Sequence, residues 1–170
     1  MSRIFCIILL GLFTHVSAQQ SSLQVNLTGS VSGSYLFENM DYGRVNNSNL
    51  VLPPTSTLGL FSVPINSSVE NMEIAVVIAN ATGMPLEPGT YDMIRVENDN
   101  PLLQTLPKQG FMTLVVLRNG IAADEYYTVS GTVQVTEVSA ATLKGTFSTV
   151  METAAGGKSV NATGSFTVVF

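Results

Sequence analysis

Tyr127-Thr128-Val129-Ser130-Gly131-Thr132-Val133-Gln134-Val135 alternates without a break: odd positions are apolar or glycine, even ones threonine, serine or glutamine. Successive side chains of a β-strand point to opposite faces, so this stretch reads as a strand with one buried and one wet face. Leu143 to Phe147 and Val160 to Val168 follow the same rule, and no stretch nearby shows a 3.6-residue period. The pattern is that of antiparallel sheet with water on one side.

Turn chemistry links these strands into a meander of four. Asn119-Gly120 suits a type I′ hairpin between Phe111–Arg118 and the strand starting near Ile121. Gly156-Gly157 can close the next-to-last strand onto the last, and Ser139-Ala140 marks the turn between. Upstream, Leu23, Val25, Leu27, Val31, Tyr35 and Phe37 share one parity. Fifteen residues in one strand would span about 50 Å, so a turn or bulge near Gly29 to Gly33 should divide them. Glu38 to Pro54 reads as a long loop, followed by strands at Thr57–Val63, Met72–Ala79 and Thr90–Glu97. Glu87-Pro88-Gly89-Thr90-Tyr91 forms the turn that feeds the last of these. Asn98 to Pro107 reads as a second loop, with one helical turn at Leu102-Leu103.

Two segments break the alternation. Ile74–Ala79 and Phe111–Leu117 are apolar on both faces. Such strands sit centrally and are covered twice, within the monomer or, where nothing of the chain covers them, by a protein partner or a second copy. The glycines of Ser130-Gly131-Thr132, Lys144-Gly145-Thr146 and Thr163-Gly164-Ser165 fall on the apolar parity, each two positions before Val133, Phe147 or Phe166. They are expected to make room for a facing ring or a close strand, or to set bulges.

The first eighteen residues read as a signal peptide: Arg3, an apolar run from Ile4 to Phe13, and small residues at Val16-Ser17-Ala18 before a cleavage point at Gln19. The run is too short to cross a bilayer, which takes roughly 20 apolar residues. Residues 19–170 then form a single secreted, periplasmic or cell-surface domain, large enough to hold itself by its core. Cys6 and His15 are the only Cys and His of the chain, and Trp is absent. Removal of residues 1–18 leaves six basic residues against twelve acidic ones. The six are scattered, so no nucleic-acid partner is expected.

Catalysis is narrowed by what is missing. Without His or Cys, neither a Ser-His-Asp nor a Cys-His arrangement can be built, and zinc sites of the usual N/S kind fall away. A carboxylate pair remains, drawn from Asp92, Glu97, Asp99, Asp124 and Glu125, as does a Ser-Lys nucleophile. No cofactor is implied. Glu97-Asn98-Asp99-Asn100 gathers oxygen-bearing side chains suited to calcium, but calcium takes six to eight oxygens and Asn/Asp runs before proline are ordinary turn formers. A second set, Glu38-Asn39 with Asp41, has the same shortfall. Candidate ligand-binding aromatics are Tyr42, Tyr126 and Tyr127, one of the adjacent pair facing the core. Asn-x-Ser/Thr sequons begin at Asn26, Asn46, Asn66, Asn80 and Asn161.

Pro-Gly-Thr-Tyr from Pro88, Ser-Gly-Thr-Val from Ser130, Lys-Gly-Thr-Phe from Lys144 and Gly-Ser-Phe from Gly164 resemble uncharacterised secreted β-domains of Gram-negative bacteria of the Bacteroidota type. The resemblance covers Pro88 to Phe170. Many of those domains are lipoproteins, whereas Ile4-Phe5 before Cys6 makes no lipobox here. It implies an exported sandwich-like or barrel-like domain without assigned catalysis, and it transfers no site residues.

The expectation is therefore an all-β antiparallel sandwich or flattened barrel of about eight or nine strands. Its expected role is non-catalytic: structural, adhesive or ligand-binding, with a protein or glycan partner. Two rivals stand beside it. The alternating end Phe166–Phe170 resembles that of a small outer-membrane β-barrel, and a carboxylate pair would make a glycoside hydrolase.

Overall fold

The structure, a computed structural model, describes residues 20–38, 40–43, 57–61, 71–80, 82–95, 107–119 and 121–170. The signal segment, most of the loop after Gly43, the helical turn at Leu102-Leu103 and the calcium candidates Glu97, Asn98, Asp99 and Asn100 lie outside the described residues.

Every regular element among them is a strand. In chain order they are β1 (Ser22–Gly29), β2 (Gly33–Glu38), β3 (Asp41–Gly43), β4 (Thr57–Phe61), β5 (Asn71–Asn80), β6 (Gly89–Met93), β7 (Lys108–Arg118), β8 (Ile121–Val138), β9 (Thr142–Thr153) and β10 (Ser159–Val169). The N-terminal run divides at Gly29–Gly33 as its length demands. The strand not foreseen is β3, which falls inside the expected loop. Three residues are too few to show a period, so β3 left no signal in the sequence.

All ten belong to one sheet, in the order β2-β1-β10-β9-β8-β6-β7-β5-β4-β3, with a further β7–β8 pairing. Its pairs are antiparallel except β6 with β7, which run parallel at Asp92–Gln109 and Met93–Gly110. The two edge strands, β2 and β3, are consecutive in the chain, with Glu38 and Asp41 three residues apart. Three peptide units reach at most about 11 Å, so the sheet must curl until its edges nearly meet. Contacts across the seam agree: the Tyr42 ring of β3 meets the Phe170 ring after β10 edge-on, centroids 5.8 Å apart. The result is a flattened, open-seamed barrel.

Its inside is one apolar cluster, to which β1 gives Leu23, Val25 and Leu27, β9 gives Leu143, Phe147 and Met151, and β7 gives Met112, Leu114 and Val116. Burying a side chain of this size contributes about 1.5–3 kcal/mol. Of the doubly apolar strands, β5 is buried on both faces, at Val77 and Ala79 outside and Ile74 and Val76 inside, whereas the outer residues Phe111, Val115 and Leu117 of β7 are only half-buried.

The glycine expectation holds at β9 and β10. Gly145 lies opposite Phe166 and Gly164 opposite Phe147, so each ring covers the glycine of the neighbouring strand. A methyl on Gly145 would come within 2.5 Å of Phe166 Cζ, and one on Gly164 within 2.6 Å of Phe147 Cζ.

Odd residues from Tyr127 to Val135 are expected to face inward, yet Tyr126 and Thr128 are buried, Val129 is exposed, and only from Val133 do odd residues turn inside. A bulge between Thr128 and Ser130 inserts one residue opposite β9 and reverses the parity; a second, between Val135 and Glu137, reverses it again. Gly131, just past the first bulge, has φ at +146° and lies so close to β9 that a side chain there would run into the Ser148 carbonyl oxygen and Thr149. The same bend opens β8 away from β7, and β6 fills the gap, pairing with β8 from Gly89 to Met93.

Candidate functional site

The inserted strand β6 positions a cleft of about 380 Å³ at the barrel end where β5 stops and β7 begins. Its framework is built from short-range hydrogen bonds. At the end of β5 the buried Asn80 side chain organises the next turn, accepting from Thr82 N at 3.2 Å and Thr82 Oγ1 at 2.7 Å, and donating from Nδ2 to the Pro85 carbonyl at 3.3 Å. Tyr91, fully buried, sends its hydroxyl up to Glu87. That oxygen donates to the Glu87 carbonyl at 3.0 Å and accepts from the Glu87 N–H at 3.1 Å.

Charge sits on this frame. Lys108 Nζ lies 2.7 Å from Glu87 Oε1 and 5.7 Å from the centroid of the Tyr91 ring. The Glu87 hydrogen bond holds the Lys108 ammonium above the usual lysine range. Asp92 and Thr90 line the same cleft from β6, and Met84 and Pro107 give it apolar edges.

The cleft opens onto an uncharged outer face. Strand register sets its side chains in rows. Gln24, Ser165, Thr146 and Gln134 face one another across β1, β10, β9 and β8, and the row continues to Thr90 on β6. Thr90 Oγ1 donates to Gln134 Oε1 at 2.7 Å, tying the row to the cleft. The next row is Asn26, Thr163, Ser148 and Thr132, ending at Asp92. A third, Thr28, Asn161, Val150 and Ser130, has one apolar member. Neighbouring strands lie about 4.8 Å apart and alternate residues about 6.7 Å. Across these four strands the three rows hold, apart from Val150, hydroxyls and amides and no charge; Lys144, Glu137 and Glu152 lie nearer the strand ends. Two of the sequons, at Asn26 and Asn161, stand in this face, whereas Asn80 is held inside the cleft wall.

The aromatics singled out from sequence do not gather here. Tyr42 is exposed at the seam beside Phe170. Tyr126 is a core residue, and Tyr127 turns outward with its hydroxyl donating to Glu125 Oε2 at 2.6 Å. Of the candidate carboxylates, Asp92 reaches the cleft, Asp124 pairs with Lys158 at the opposite end, and Glu125 takes the Tyr127 hydroxyl. Glu87, Lys108 and Tyr91 were not foreseen as a group. Glu87 and Tyr91 were visible only as parts of a turn motif, and Lys108 enters from another strand. Among the described residues no three His, Cys, Asp or Glu side chains converge as a metal site would require.

The described residues thus form an all-β, single-sheet barrel with an end cleft. No family model, curated protein or solved structure matches the chain.

Proposed function

We propose that this chain is an exported, non-catalytic β-domain that binds a neutral, hydroxyl-rich partner, a glycan. The ligand lies across the uncharged rows of β1, β10, β9 and β8 and enters the cleft at β6. The observation that carries this reading is the continuity of two such rows with the cleft, through Thr90 and Asp92. An extended ligand gains one modest hydrogen bond per step along such a face, and only a long chain accumulates useful affinity. Export rests on the character of residues 1–18. The inward-apolar, outward-polar alternation of β1, β9 and β10 supports a barrel standing in water over one standing in lipid, which would reverse it.

A first test is whether residues 19–170 fold without detergent and melt cooperatively by circular dichroism; material that aggregates until detergent is added would return the membrane barrel to first place. The second is co-sedimentation with amorphous cellulose, chitin and an insoluble α-glucan. Binding should survive about 1 M salt, where the Debye length is about 3 Å, and should be lost in Thr163→Glu, an exposed change at the centre of the face. Binding that vanishes in salt, or none to any of the three, counts against the glycan reading.

A second reading is favoured by one observation: Glu87 and Asp92 line the same cleft, as a glycoside hydrolase would need. The close Lys108 partner occupies Glu87, which weighs against its serving as a proton donor. Reducing-sugar release that is abolished by both Glu87→Gln and Asp92→Asn would establish it.

A further inference from the structure

The end of the barrel opposite the cleft holds a pocket of about 220 Å³ with a different chemistry. Three turns build it. The β1–β2 turn supplies Ser30 and Ser32, the β7–β8 hairpin supplies Arg118, Asp124 and Tyr126, and the β9–β10 turn supplies Lys158. The turns are fastened to each other: Ser30 N–H donates to the Ser159 carbonyl at 2.9 Å, and Ser159 N–H donates to Ser30 Oγ at 3.2 Å. These bonds hold the β1–β2 and β9–β10 turns together beside the pocket.

Its charge is unbalanced. Lys158 Nζ reaches both carboxylate oxygens of Asp124, at 2.6 and 2.8 Å, and so neutralises that group. Arg118 lines the same pocket and makes no ion pair with any described carboxylate. One net positive charge remains in a chain whose overall charge is −5. The Tyr126 hydroxyl faces the same space. Burial first, and the Asp124 charge second, raise its pKa above the usual tyrosine range, so it stays a proton donor at any physiological pH. The Ser30 hydroxyl adds a further donor, whereas the Ser32 hydroxyl already donates to the Gly29 carbonyl at 3.3 Å.

We propose that this pocket binds one small oxyanion, a sulfate, phosphate or carboxylate, with Arg118 as its charge partner and the Tyr126 and Ser30 hydroxyls as donors. A planar guanidinium offers such a group paired hydrogen bonds, which a lone ammonium does not. The site is independent of the glycan face, at the other end of the barrel.

The test is a two-dimensional NMR titration of residues 19–170, which carry every described strand, with sodium sulfate, phosphate and acetate against chloride at constant ionic strength. Saturable shifts should be confined to residues 30–32, 118, 126 and 158–159. Arg118→Gln, an exposed change that should leave the melting temperature unaltered, should weaken binding at least about tenfold, the usual effect of losing one charge-assisted partner. Tyr126→Phe should weaken it less. A sulfated or uronic oligosaccharide that binds more tightly than the free ion would mark a saccharide-borne ligand; equal affinity would mark the ion itself. Shifts no different from those in chloride, or unchanged in Arg118→Gln, overturn the proposal.

Discussion

The Thr128 hydroxyl satisfies both backbone groups of Met112: it accepts the Met112 N–H at 2.8 Å and donates to the Met112 carbonyl at 3.1 Å. Here β8 leaves β7, so Met112 has lost the strand partner that would have taken these bonds. Thr149, also buried, lies beside it, its hydroxyl 3.5 Å from that of Thr128 and 2.8 Å from the Ser130 carbonyl to which it donates. Two threonine side chains thus replace ladder hydrogen bonds where the sheet splits to admit β6.

Thr128→Val keeps the shape and removes the hydroxyl, leaving a buried N–H and carbonyl unmet. Each such group costs about 1–3 kcal/mol, so a loss of about 3 kcal/mol is expected. For a chain this size that lowers Tm by about 6–12 °C. Thr128→Ser should recover most of it. Calorimetry of the three proteins decides, and a valine variant as stable as the parent would remove the role given to this hydroxyl.

Tyr91 performs the same service for Glu87, with one hydroxyl on both its N–H and its carbonyl. Tyr91→Phe should cost about 1–2 kcal/mol and loosen the wall that carries the Lys108–Glu87 pair. Glycan affinity should therefore fall more than in Lys108→Met, which removes only a solvent-screened ion pair. Urea titration together with co-sedimentation reads both effects.

Gly145 and Gly164 should each resist substitution. Alanine at either drives a methyl into the opposed phenylalanine and into a backbone oxygen, of Gln134 or Gln24. Overpacking of this kind costs about 1–3 kcal/mol. Because the backbone oxygen stays in place, Phe166→Leu should rescue Gly145→Ala only in part. Full rescue, seen as a restored denaturation midpoint, would mean that the ring alone sets the limit.

Alkaline conditions should weaken the fold. Lys108 is raised mainly by its hydrogen bond to Glu87, Tyr126 mainly by burial, and Tyr127 mainly by its hydrogen bond to Glu125. A folded-state pKa above the unfolded value means that the native protein holds its proton longer. That stability is complete below about pH 10 and is lost as pH rises through the folded-state values. Urea midpoints measured from pH 8 to 11 should fall at the upper end, less steeply in Tyr126→Phe. Glu137 acts at the other limit: hydrogen bonds from Thr142 and Lys144 lower its pKa, so its contribution disappears as pH drops below the usual carboxylate range.

The sequence by itself determined that the described elements would be strands, where most of them begin and turn, and which residues of β1, β9 and β10 face inward. These properties are local: a period of two and a Gly-Gly turn are each written within a dozen residues. Inward parity along β8 was misread because a bulge is a difference between two paired strands, and one strand read alone cannot show it. For the same reason the pairing of β1 with β10, the wedge of β6 and the near-closure at Glu38–Asp41 belong to tertiary structure. The cleft follows suit, since Lys108 meets Glu87 only after two strands distant in sequence settle side by side. Which faces are buried is a property of side-chain spacing, but which groups meet depends on long-range pairing, and no single segment encodes it.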